Sequence, residues 1–397
     1  MIFNFLGPSN PLNPVNVDVE RSINLYPELT APGSPKTPLS LRNTPGRHVA
    51  TVVNAYSIDV LFTDGSATPS LNAAPSGRCF GIAGTVFFEV VAVAGVYSTI
   101  VWGTVALSFL PGQQTSIASN GDGGHQLLIV SGGNGYIFNL QTNAFGLISD
   151  ADFPNGSAAQ GVFLDGYFIV LNYTNSSFQL SALNDGTSWN ALDIAQRSDA
   201  SDRLTALAVF RNELWLIGSL TTEVWYDSGD NLFPFTRVQG SLMQIGCVYP
   251  FTIQVLDNAL WFLGQEHSQG QPVVYRATSY SPAVVSTIAV ANAVAQTTST
   301  AHGVMRAWTY EDSGHAFYVL RLPYQDGALS TTTWVYDQST QLWHERGVYD
   351  FDAENDDFAP DPVKCHVFQF GVHLVGDHDT PTIWTMDNSF YSDEIVA

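Results

Sequence analysis

The sequence predicts an all-β protein that folds as a β-propeller, with seven blades preferred and six as the alternative. The main observation is a pattern written twice between residues 204 and 264: an apolar run, a two-residue turn and a second apolar run. The first copy turns at Arg211-Asn212 and the second at Asp257-Asn258. Two strand-length runs around such a turn indicate a β-hairpin, and Asn tolerates the positive φ that the turn requires. A hairpin with a third strand cannot bury both faces alone, but repeats packed side by side can.

Seven such hairpin units recur along the chain. Equivalent residues in their second strands are Phe88, Ile129, Ile169, Leu216, Phe262, Tyr318 and Leu374. The first four intervals are 41, 40, 47 and 46 residues, which match the ~40–50 residues of propeller blades. The last two intervals are 56 residues each and predict insertions. In a six-bladed fold, the unit around Phe88 or Leu374 would belong to an added platform.

Residues 1–50 predict an extended arm, and residues 51–397 the propeller. The arm contains eight prolines, which block both helix interiors and ladder hydrogen bonds. The apolar residues Ile23, Leu25, Tyr26, Leu39 and Leu41 favour an arm packed on other structure over a flexible leader. A helix is predicted at 286–295, where a capping Ser or Thr precedes an Ala-rich run. The segment 286–303 is therefore a candidate inserted platform or loop.

The closure of the ring is predicted to involve the N-terminal region. The last unit lacks a full outer strand, while spare strand candidates precede Cys79 at 49–53 and 58–62. An unpaired edge strand is a liability. We therefore expect residues before Cys79 to pair with the last blade, with ladder partners among residues 365–392.

The charge argues against a surface that binds nucleic acid tightly. The net charge is −22, from 36 acidic and 14 basic residues. Only Lys36 and Lys364 are lysines, and no Lys or Arg lies between Arg78 and Arg197. Nucleic-acid-binding proteins place such cations on phosphates, whereas an acidic wall would let DNA pass without adhering. The charged fraction of 13% is about half the usual value, which favours a surface covered by neighbouring subunits.

The sequence predicts no catalytic, cofactor-binding or metal-binding residues. It contains no Gly-x-Ser-x-Gly, His-Glu-x-x-His or phosphate-loop pattern, and each of these carries a specific chemistry. Cys79, Cys247 and Cys365 are too far apart for a zinc site and odd in number for a disulfide framework. The first residues lack the basic start of a secretory signal, and no run of 18 apolar residues predicts membrane insertion.

Two stretches approach known motifs, and both are predicted to be structural. Residues 184–189 form a degenerate Asp-box, which is a hairpin turn in propellers and does not imply an enzyme. Residues 350–361 place carboxylates at relative positions one, three, five, seven and twelve, as in a calcium loop. Asn355 replaces the Gly of that loop, and Asp361 is shorter than its bidentate Glu. A solvated acidic loop is therefore preferred over a cation site.

Buried histidines and tryptophans are expected to serve packing. His366 and His373 lie in or beside strand runs, where core or interface roles are commoner than ligation. Tryptophans recur at matching places in the units: Trp215, Trp225, Trp261, Trp334 and Trp384. Packing between blades explains them better than sugar stacking.

Short blocks in the middle of the chain carry a family resemblance. In order they are Trp189 with Leu192-Asp193-Ile194-Ala195, Asp202-Arg203-Leu204, Glu213-Leu214, Glu223-x-Trp225, Gly229, Pro234-Phe235, Gly240, Gly246-Cys247, Trp261-x-Leu263-Gly264 and Ser286-Thr287. The arm adds residues 21–28 (RSINLYPE) and Thr44-Pro45-Gly46. In these blocks the chain resembles the packaged-DNA stabilisation proteins, or tail hub (nozzle) proteins, of short-tailed bacteriophages.

The resemblance implies a structural, non-enzymatic protein of the virion tail that is assembled in the host cytoplasm. It implies a ring, as a hexamer, mounted below a dodecameric adaptor and portal. Such a ring extends and closes the DNA exit channel, retains packaged DNA and passes it at ejection. Its partners would be copies of itself, adaptor or portal-side tail proteins and tail fibres or spikes, with double-stranded DNA passing unbound. Chains of this family usually continue past the position of Ala397, so a further C-terminal segment is expected.

Two other function classes remain open from the residues alone. A propeller that binds or degrades glycans should gather Asp, Glu, Arg and Tyr at one mouth, but few arginines are available. A general protein-interaction propeller would not need the Pro-rich arm. We therefore expect the tail ring, with the glycan-active tail protein as the alternative.

Overall fold

The chain forms a seven-bladed β-propeller, which confirms the predicted all-β fold. The computed structural model describes residues 22–29, 39–53, 56–65, 77–107, 115–197, 201–266, 270–297, 305–323, 333–349 and 358–394. Within these ranges there are seven antiparallel sheets of four or five strands and one two-stranded sheet. Helices in the same ranges are α1 (Gly121–Gly124), α2 (Ile288–Gln296) and a 3-10 helix at Pro250–Thr252.

The strands follow the chain from blade to blade. The two-stranded sheet consists of β1 (Leu25–Leu29) and β2 (Leu39–Asn43), and β3 spans Gly46–Val52. Blade 1 contains β4 (Ile58–Asp64), β5 (Arg78–Ala83), β6 (Val86–Val93) and β7 (Val96–Thr104). Blade 2 contains β8 (Ser116–Ser119), β9 (Gln126–Ser131), β10 (Asn134–Asn139) and β11 (Phe145–Leu147). Blade 3 contains β12 (Ala158–Leu164), β13 (Tyr167–Asn172), β14 (Ser177–Ala182) and β15 (Asp185–Gln196). Blade 4 contains β16 (Leu204–Phe210), β17 (Glu213–Gly218), β18 (Thr222–Asp227) and β19 (Phe235–Arg237).

The last three blades are less regular. Blade 5 contains β20 (Ile245–Gly246), β21 (Gln254–Leu256), β22 (Ala259–Glu266), β23 (Val273–Ala277) and β24 (Ala283–Val284). Blade 6 contains β25 (Arg306–Asp312), β26 (His315–Arg321), β27 (Thr333–Asp337), β28 (Leu342–Tyr349) and β29 (Phe358–Pro360). Blade 7 contains β30 (Val363–Gln369), β31 (Val372–Asp377) and β32 (Thr382–Asp387), with β3 as its outer strand.

Hairpin turns set the register of the blades. Arg211 and Asn212 have φ of 54° and 60°, and Asp257 and Asn258 have φ of 46° and 51°. Positive φ at both central residues matches the type I′ turn, whose twist matches that of the flanking strands. Both hairpins of the repeated pattern are therefore confirmed.

The innermost strands surround the propeller axis and are joined by side chains. The Gln160 side chain of blade 3 bonds both backbone groups of Leu207 in blade 4, at 2.9 and 2.8 Å. The Gln254 Nε2 of blade 5 donates to the Ala307 carbonyl of blade 6 at 2.8 Å. Inner strands of a propeller lack a sheet partner on the axial side, so these contacts satisfy polar groups and fix neighbouring blades.

Apolar side chains fill the space between adjacent blades. All five predicted tryptophans are buried, at 9% exposure or less, which confirms their packing role. The helix α2 begins after its capping residue Thr287, whose Oγ1 accepts from the Val290 amide at 3.4 Å. Its buried face packs into the apolar core around blade 5, so the predicted helix is confirmed, displaced by about two residues. Residues 298–303 of the predicted insertion lie outside the described residues.

The closure prediction is confirmed for one strand and wrong for the other. Strand β3 pairs antiparallel with β32, with Val49 opposite Trp384. The candidate at 58–62 instead lies in β4, which pairs with β5 and is the innermost strand of blade 1. Each blade needs an inner strand as well as an outer one, and the segment before Cys79 supplies one to each of two blades. The predicted arm boundary at residue 50 lies inside β3.

Candidate functional site

The site is the closure of the propeller, where distant parts of the chain fasten blades 6 and 7. We call this closure site the set formed by Asn24, Tyr26, Gly46, Arg47, Arg346 and Asp361. Three of its members, Asn24, Tyr26 and Gly46, belong to the two arm blocks that carry the sequence resemblance. The structure gives each of them a definite contact with a blade.

Asn24 attaches the arm to the outer part of blade 6. Its amide Nδ2 donates to the Gly347 carbonyl at 2.8 Å, and its Oδ1 accepts from the Gly347 N–H at 3.0 Å. Its backbone N–H donates to the Glu345 carbonyl at 2.9 Å. Asn24 has a φ of 58°, a conformation that Asn adopts more readily than most residues. Its amide thus continues the pairing of β28, as a strand would.

Tyr26 inserts into an aromatic cluster of blade 6. Its side chain is 2% exposed, and its ring lies 5.2 Å from those of His315 and Phe317 and 5.7 Å from that of His344. Glu28 adds a contact from its Oε2 to the His315 Nε2 at 3.2 Å. The described part of the arm therefore packs on the propeller. Leu25 and Leu41, also expected to pack, are exposed.

Arg47 of β3, Arg346 of β28 and Asp361, which lies just before β30, form a buried ion network. Arg47 Nη1 lies 2.8 Å from Asp361 Oδ1, and Arg346 Nε lies 2.5 Å from Asp361 Oδ2. Arg346 Nη2 also donates to the Pro45 carbonyl at 2.9 Å. Burial favours a raised pKa for Asp361, but Arg47, Arg346 and the Val363 N–H outweigh it and lower that pKa below its ordinary value. The carboxylate therefore joins three segments of the chain in its charged form.

This network corrects the prediction of a solvated loop at 350–361. Asp361 is 1% exposed and ion-paired, so at that position the prediction is wrong. The physical reason is the pair of arginines, which come from sequence outside the acidic run. Residues 350–357, with the four other carboxylates of the calcium-like pattern, lie outside the described residues.

Residues 388–394 form a tail that covers the outer edge of β3. The Asp393 carboxylate accepts hydrogen bonds from both Nε and Nη2 of Arg47, at 3.1 and 2.6 Å. A Cβ on Gly46 would lie 2.5 Å from the Phe390 carbonyl oxygen, so only glycine allows this approach. The Phe390 ring stacks on His48 with 3.8 Å between centroids. The outer edge of blade 7 is thus paired on one side and covered on the other.

Buried pairs remove cations from the surface. Among the residues that the structure describes, six basic side chains are buried: Arg47, Arg78, Arg197, Arg321, Arg346 and Lys364. Arg78 and Glu89, for example, form a 2.6 Å pair in which both side chains are 1% exposed. The exposed surface is consequently poorer in cations than the sequence composition indicates.

The predicted core histidines are paired or buried. His366 Nε2 lies 2.9 Å from His373 Nδ1. Burial, with His373 beside it, lowers the pKa of His366 to about 3. His344 was not singled out from the sequence, yet both of its ring nitrogens are buried without a hydrogen-bond partner among the described residues. Burial, followed by Arg346 and His315, lowers its pKa to about 3 as well. These imidazoles are neutral packing groups at pH 7.

The Asp-box segment is a structural turn, as predicted. Asp185 Oδ1 accepts from the Thr187 N–H at 2.9 Å and from its hydroxyl at 2.6 Å. Trp189 is buried, and its Nε1 donates to the Gly186 carbonyl at 2.8 Å. These bonds use the polar groups of the motif to hold the β14–β15 turn.

The other resemblance blocks also hold joints between strands. Asp202 accepts from the Leu220 N–H at 2.8 Å and from the Thr221 hydroxyl at 2.6 Å. A Cβ on Gly246 would lie 2.3 Å from the Leu220 nitrogen. Cys247 Sγ donates to the Leu263 carbonyl at 3.2 Å, and its burial raises the pKa of its thiol to about 12, so it is a packing group and not a nucleophile. These blocks support the fold of blades 4 and 5.

Metal clusters and membrane-spanning helices are both absent from the described ranges. No group of three or more His, Cys, Asp or Glu residues there has an arrangement that could hold a metal ion. No helix in those ranges is long and apolar enough to cross a membrane.

Comparison with solved structures recovers other propellers at low identity. The extracellular domain of the putative hybrid two-component system BT4673 from B. thetaiotaomicron aligns with a TM-score of 0.52 at 7% identity. The alignment covers 86% of this chain and 39% of that structure's chain. PorZ of Porphyromonas gingivalis aligns with a TM-score of 0.45 at 11% identity, over 84% of this chain and 37% of its own. Virginiamycin B lyase from Staphylococcus aureus aligns with a TM-score of 0.48 at 10% identity, over 86% of this chain and 98% of its own. The chain spans less than two-fifths of the first two structures, and such likeness concerns the fold alone.

Family membership is shown by the sequence itself. A search of curated proteins finds no match. The profile of the family described as bacteriophage P22 Gp10, β-propeller, matches residues 76–391. This range covers most of the chain and runs from the residues just before β5, the second strand of blade 1, to the tail that covers β3. The chain therefore belongs to the bacteriophage P22 Gp10 β-propeller family, a family of phage structural proteins.

Proposed function

We propose that this phage tail protein forms a ring that extends and closes the DNA exit channel, retains packaged DNA and passes it at ejection. The ring is a hexamer of this chain, docked on adaptor or portal-side tail proteins and contacted by tail fibres or spikes. It is assembled in the host cytoplasm, carries no catalytic site and lets double-stranded DNA pass without tight binding. Family membership and the resemblance of the arm support this role.

The observation that carries the proposal is the burial of basic side chains in contacts within the chain. With a net charge of −22 and six basic residues buried within the described ranges, the surface offers few groups that could hold phosphates. At physiological salt, repulsion between exposed charges is screened beyond ~8 Å. The acidic surface therefore prevents adhesion at contact range without blocking passage of the DNA.

DNA binding tests the proposed passage mechanism. Purified protein is titrated with double-stranded DNA in a filter-binding assay at low salt, where electrostatic binding is strongest. We expect no retention at micromolar protein. The D122K/D152K variant, which reverses two exposed carboxylates, is the control and should raise retention at low salt. Micromolar binding by the unchanged chain that weakens steeply with salt would contradict the proposal.

Sedimentation velocity tests the ring independently. A hexamer of 43.1 kDa chains has a mass of about 259 kDa. We expect this species with purified protein or after addition of the adaptor ring. A monomer under both conditions would contradict the ring but leave the family assignment intact.

A further inference from the structure

The propeller axis contains a cavity of about 250 Å³ with a net positive charge. Its wall comes from the innermost strands β4, β8, β21, β25 and β30 and from the 3-10 helix. The charged groups in this wall are Asp59, Arg306 and Lys364. Two cations and one carboxylate leave a charge of +1 in a protein whose overall charge is −22. This excess is opposite in sign to that of the molecule as a whole.

The Asp59 carboxylate already accepts hydrogen bonds from groups other than Arg306. Its Oδ1 accepts from Lys364 Nζ at 3.0 Å, and its Oδ2 accepts from the Gly84 N–H at 2.9 Å. Lys364 Nζ also donates to the Ser57 hydroxyl at 3.1 Å. The lysine and the carboxylate therefore neutralise one another and join blades 1 and 7.

Arg306 has no such partner. Among the described residues, no hydrogen bond or ion pair joins its guanidinium to another group, while its Cζ lies 4.2 Å from the centroid of the Phe251 ring. Burial lowers the pKa of Arg306, although Asp59 acts in the opposite direction. A guanidinium remains charged at any ordinary pH and carries five N–H donors. The Arg306 side chain is partly buried, and a charged group withdrawn from bulk water without a protein acceptor is costly, so an acceptor from solvent is expected in the cavity.

We propose that this axial cavity binds a small tetrahedral oxyanion of the phosphate class through Arg306. The Phe251 ring occupies one side of the guanidinium, and the N–H groups not in contact with the ring can make a bidentate contact, which suits phosphate geometry. Lys364 and the nearby Arg321, which interacts electrostatically with Arg306, add positive potential. A volume of about 250 Å³ holds one such ion and a few waters of ~30 Å³ each. It is far too small for a DNA duplex.

The bound ion would connect neighbouring blades of one propeller at its axis. Phe251 belongs to blade 5, Arg306 to blade 6, Lys364 to blade 7 and Asp59 to blade 1. An ion held by Arg306 near Lys364 therefore couples the closing blades on their axial side, whereas β3 closes blade 7 at its outer edge. Any ligand that binds only the folded state stabilises it by mass action.

Inorganic phosphate is the probe that tests the site. The full chain, prepared in phosphate-free chloride buffer, is titrated by calorimetry and thermal unfolding at constant ionic strength. We expect a saturable heat and a matching rise in Tm. The R306Q variant should weaken binding at least tenfold. The R276Q variant is the matched control, since Arg276 also lies over an aromatic ring, Trp261 at 5.5 Å, but pairs with Asp257 at 3.3 Å.

Each other result overturns the site. Equal phosphate responses in the unchanged chain and in R306Q would mean general salt stabilisation, and no saturable response up to ~10 mM would mean that water alone solvates Arg306. An equal response to acetate would overturn the phosphate class in favour of a carboxylate. If R306Q fails to fold, R306K keeps the charge but loses the planar fork and should still bind phosphate more weakly; unchanged affinity in R306K would contradict the bidentate contact.

Discussion

Arg47 and Asp361 lie 314 residues apart in the sequence, yet their side chains form a buried ion pair with 2.8 Å between Nη1 and Oδ1. The arginine belongs to β3 and the aspartate precedes β30, so the pair connects the outer and inner edges of blade 7. Closure of the propeller thus depends on a charge pair as well as on backbone pairing.

Removal of one charge from this pair should destabilise the protein strongly. We expect D361N to lower the free energy of unfolding by about 3–5 kcal/mol, because it leaves Arg47 and Arg346 buried without their carboxylate. The matched control is D393N, which removes the partly exposed partner of the same Arg47 and should cost about 1 kcal/mol or less. Denaturant unfolding measures both, and equal effects would show that the buried pair is not special.

A methyl group at Gly46 should disturb the tail. We expect G46A to lower the free energy of unfolding by about 1–3 kcal/mol, because the new Cβ would overlap the Phe390 and Ser392 carbonyl oxygens. Gly146 lies in β11, where a Cβ would meet no atom of the described residues within 4 Å, so G146A should be nearly neutral. Denaturant unfolding of both variants decides the question, and a neutral G46A would argue against close packing of the tail.

Truncation of Tyr26 should release the arm. We expect Y26A to lower the free energy of unfolding by about 3–5 kcal/mol, since loss of a fully buried aromatic ring leaves a cavity among His315, Phe317 and His344. Limited proteolysis should then cleave the arm sooner. L41A, at an exposed position of the same hairpin, should leave the cleavage rate unchanged. Equal protection of Y26A and the unchanged chain would contradict anchoring by this residue.

Acid should weaken the fold through its buried histidines. The pKa values of His344 and His366 are lowered to about 3, first by burial. The unfolded chain binds these protons below pH ~6.5, so their contribution to stability is complete above that pH and is lost as pH falls toward 3. Each histidine adds a slope of about 1.4 kcal/mol per pH unit in that window.

The variant H344Q tests this dependence. Its free energy of unfolding, measured from pH 6.5 to 4.5, should fall with pH less steeply by about 1.4 kcal/mol per unit. H378Q, at a partly exposed histidine, is the control for loss of an imidazole outside the core. An unchanged slope in H344Q would mean that His344 is protonated in the folded protein.

The sequence predicted those features that depend on local chemistry. Turn residues such as Asn212 and Asn258 determine hairpins within a few positions, and regular spacing of hairpins then indicates blades. The helix α2 was found for the same reason, since Thr287 and an Ala-rich run act locally.

Features that depend on distant contacts were predicted poorly. Asp361 looked like part of a solvated run because its partners, Arg47 and Arg346, come from other strands. The candidate at 58–62 has the composition of any strand, and only the count of strands per blade decides whether it is inner or outer. Arg306 carries no local signal at all. The scarcity of cations was the one available clue. Because the chain has only 14 basic residues, each of them is a candidate for a specific structural role.

The pairing of β3 with β32 also affects how the chain folds during its synthesis. A ribosome makes Val52 about 330 residues before Thr382, its ladder partner. At ~5–20 residues per second, β3 remains without its ladder partner for roughly 15–70 s until β32 has been synthesised. During synthesis the exposed ladder edge of β3 can pair with neighbouring nascent chains, so slower elongation after blade 1 should favour aggregation over completed rings.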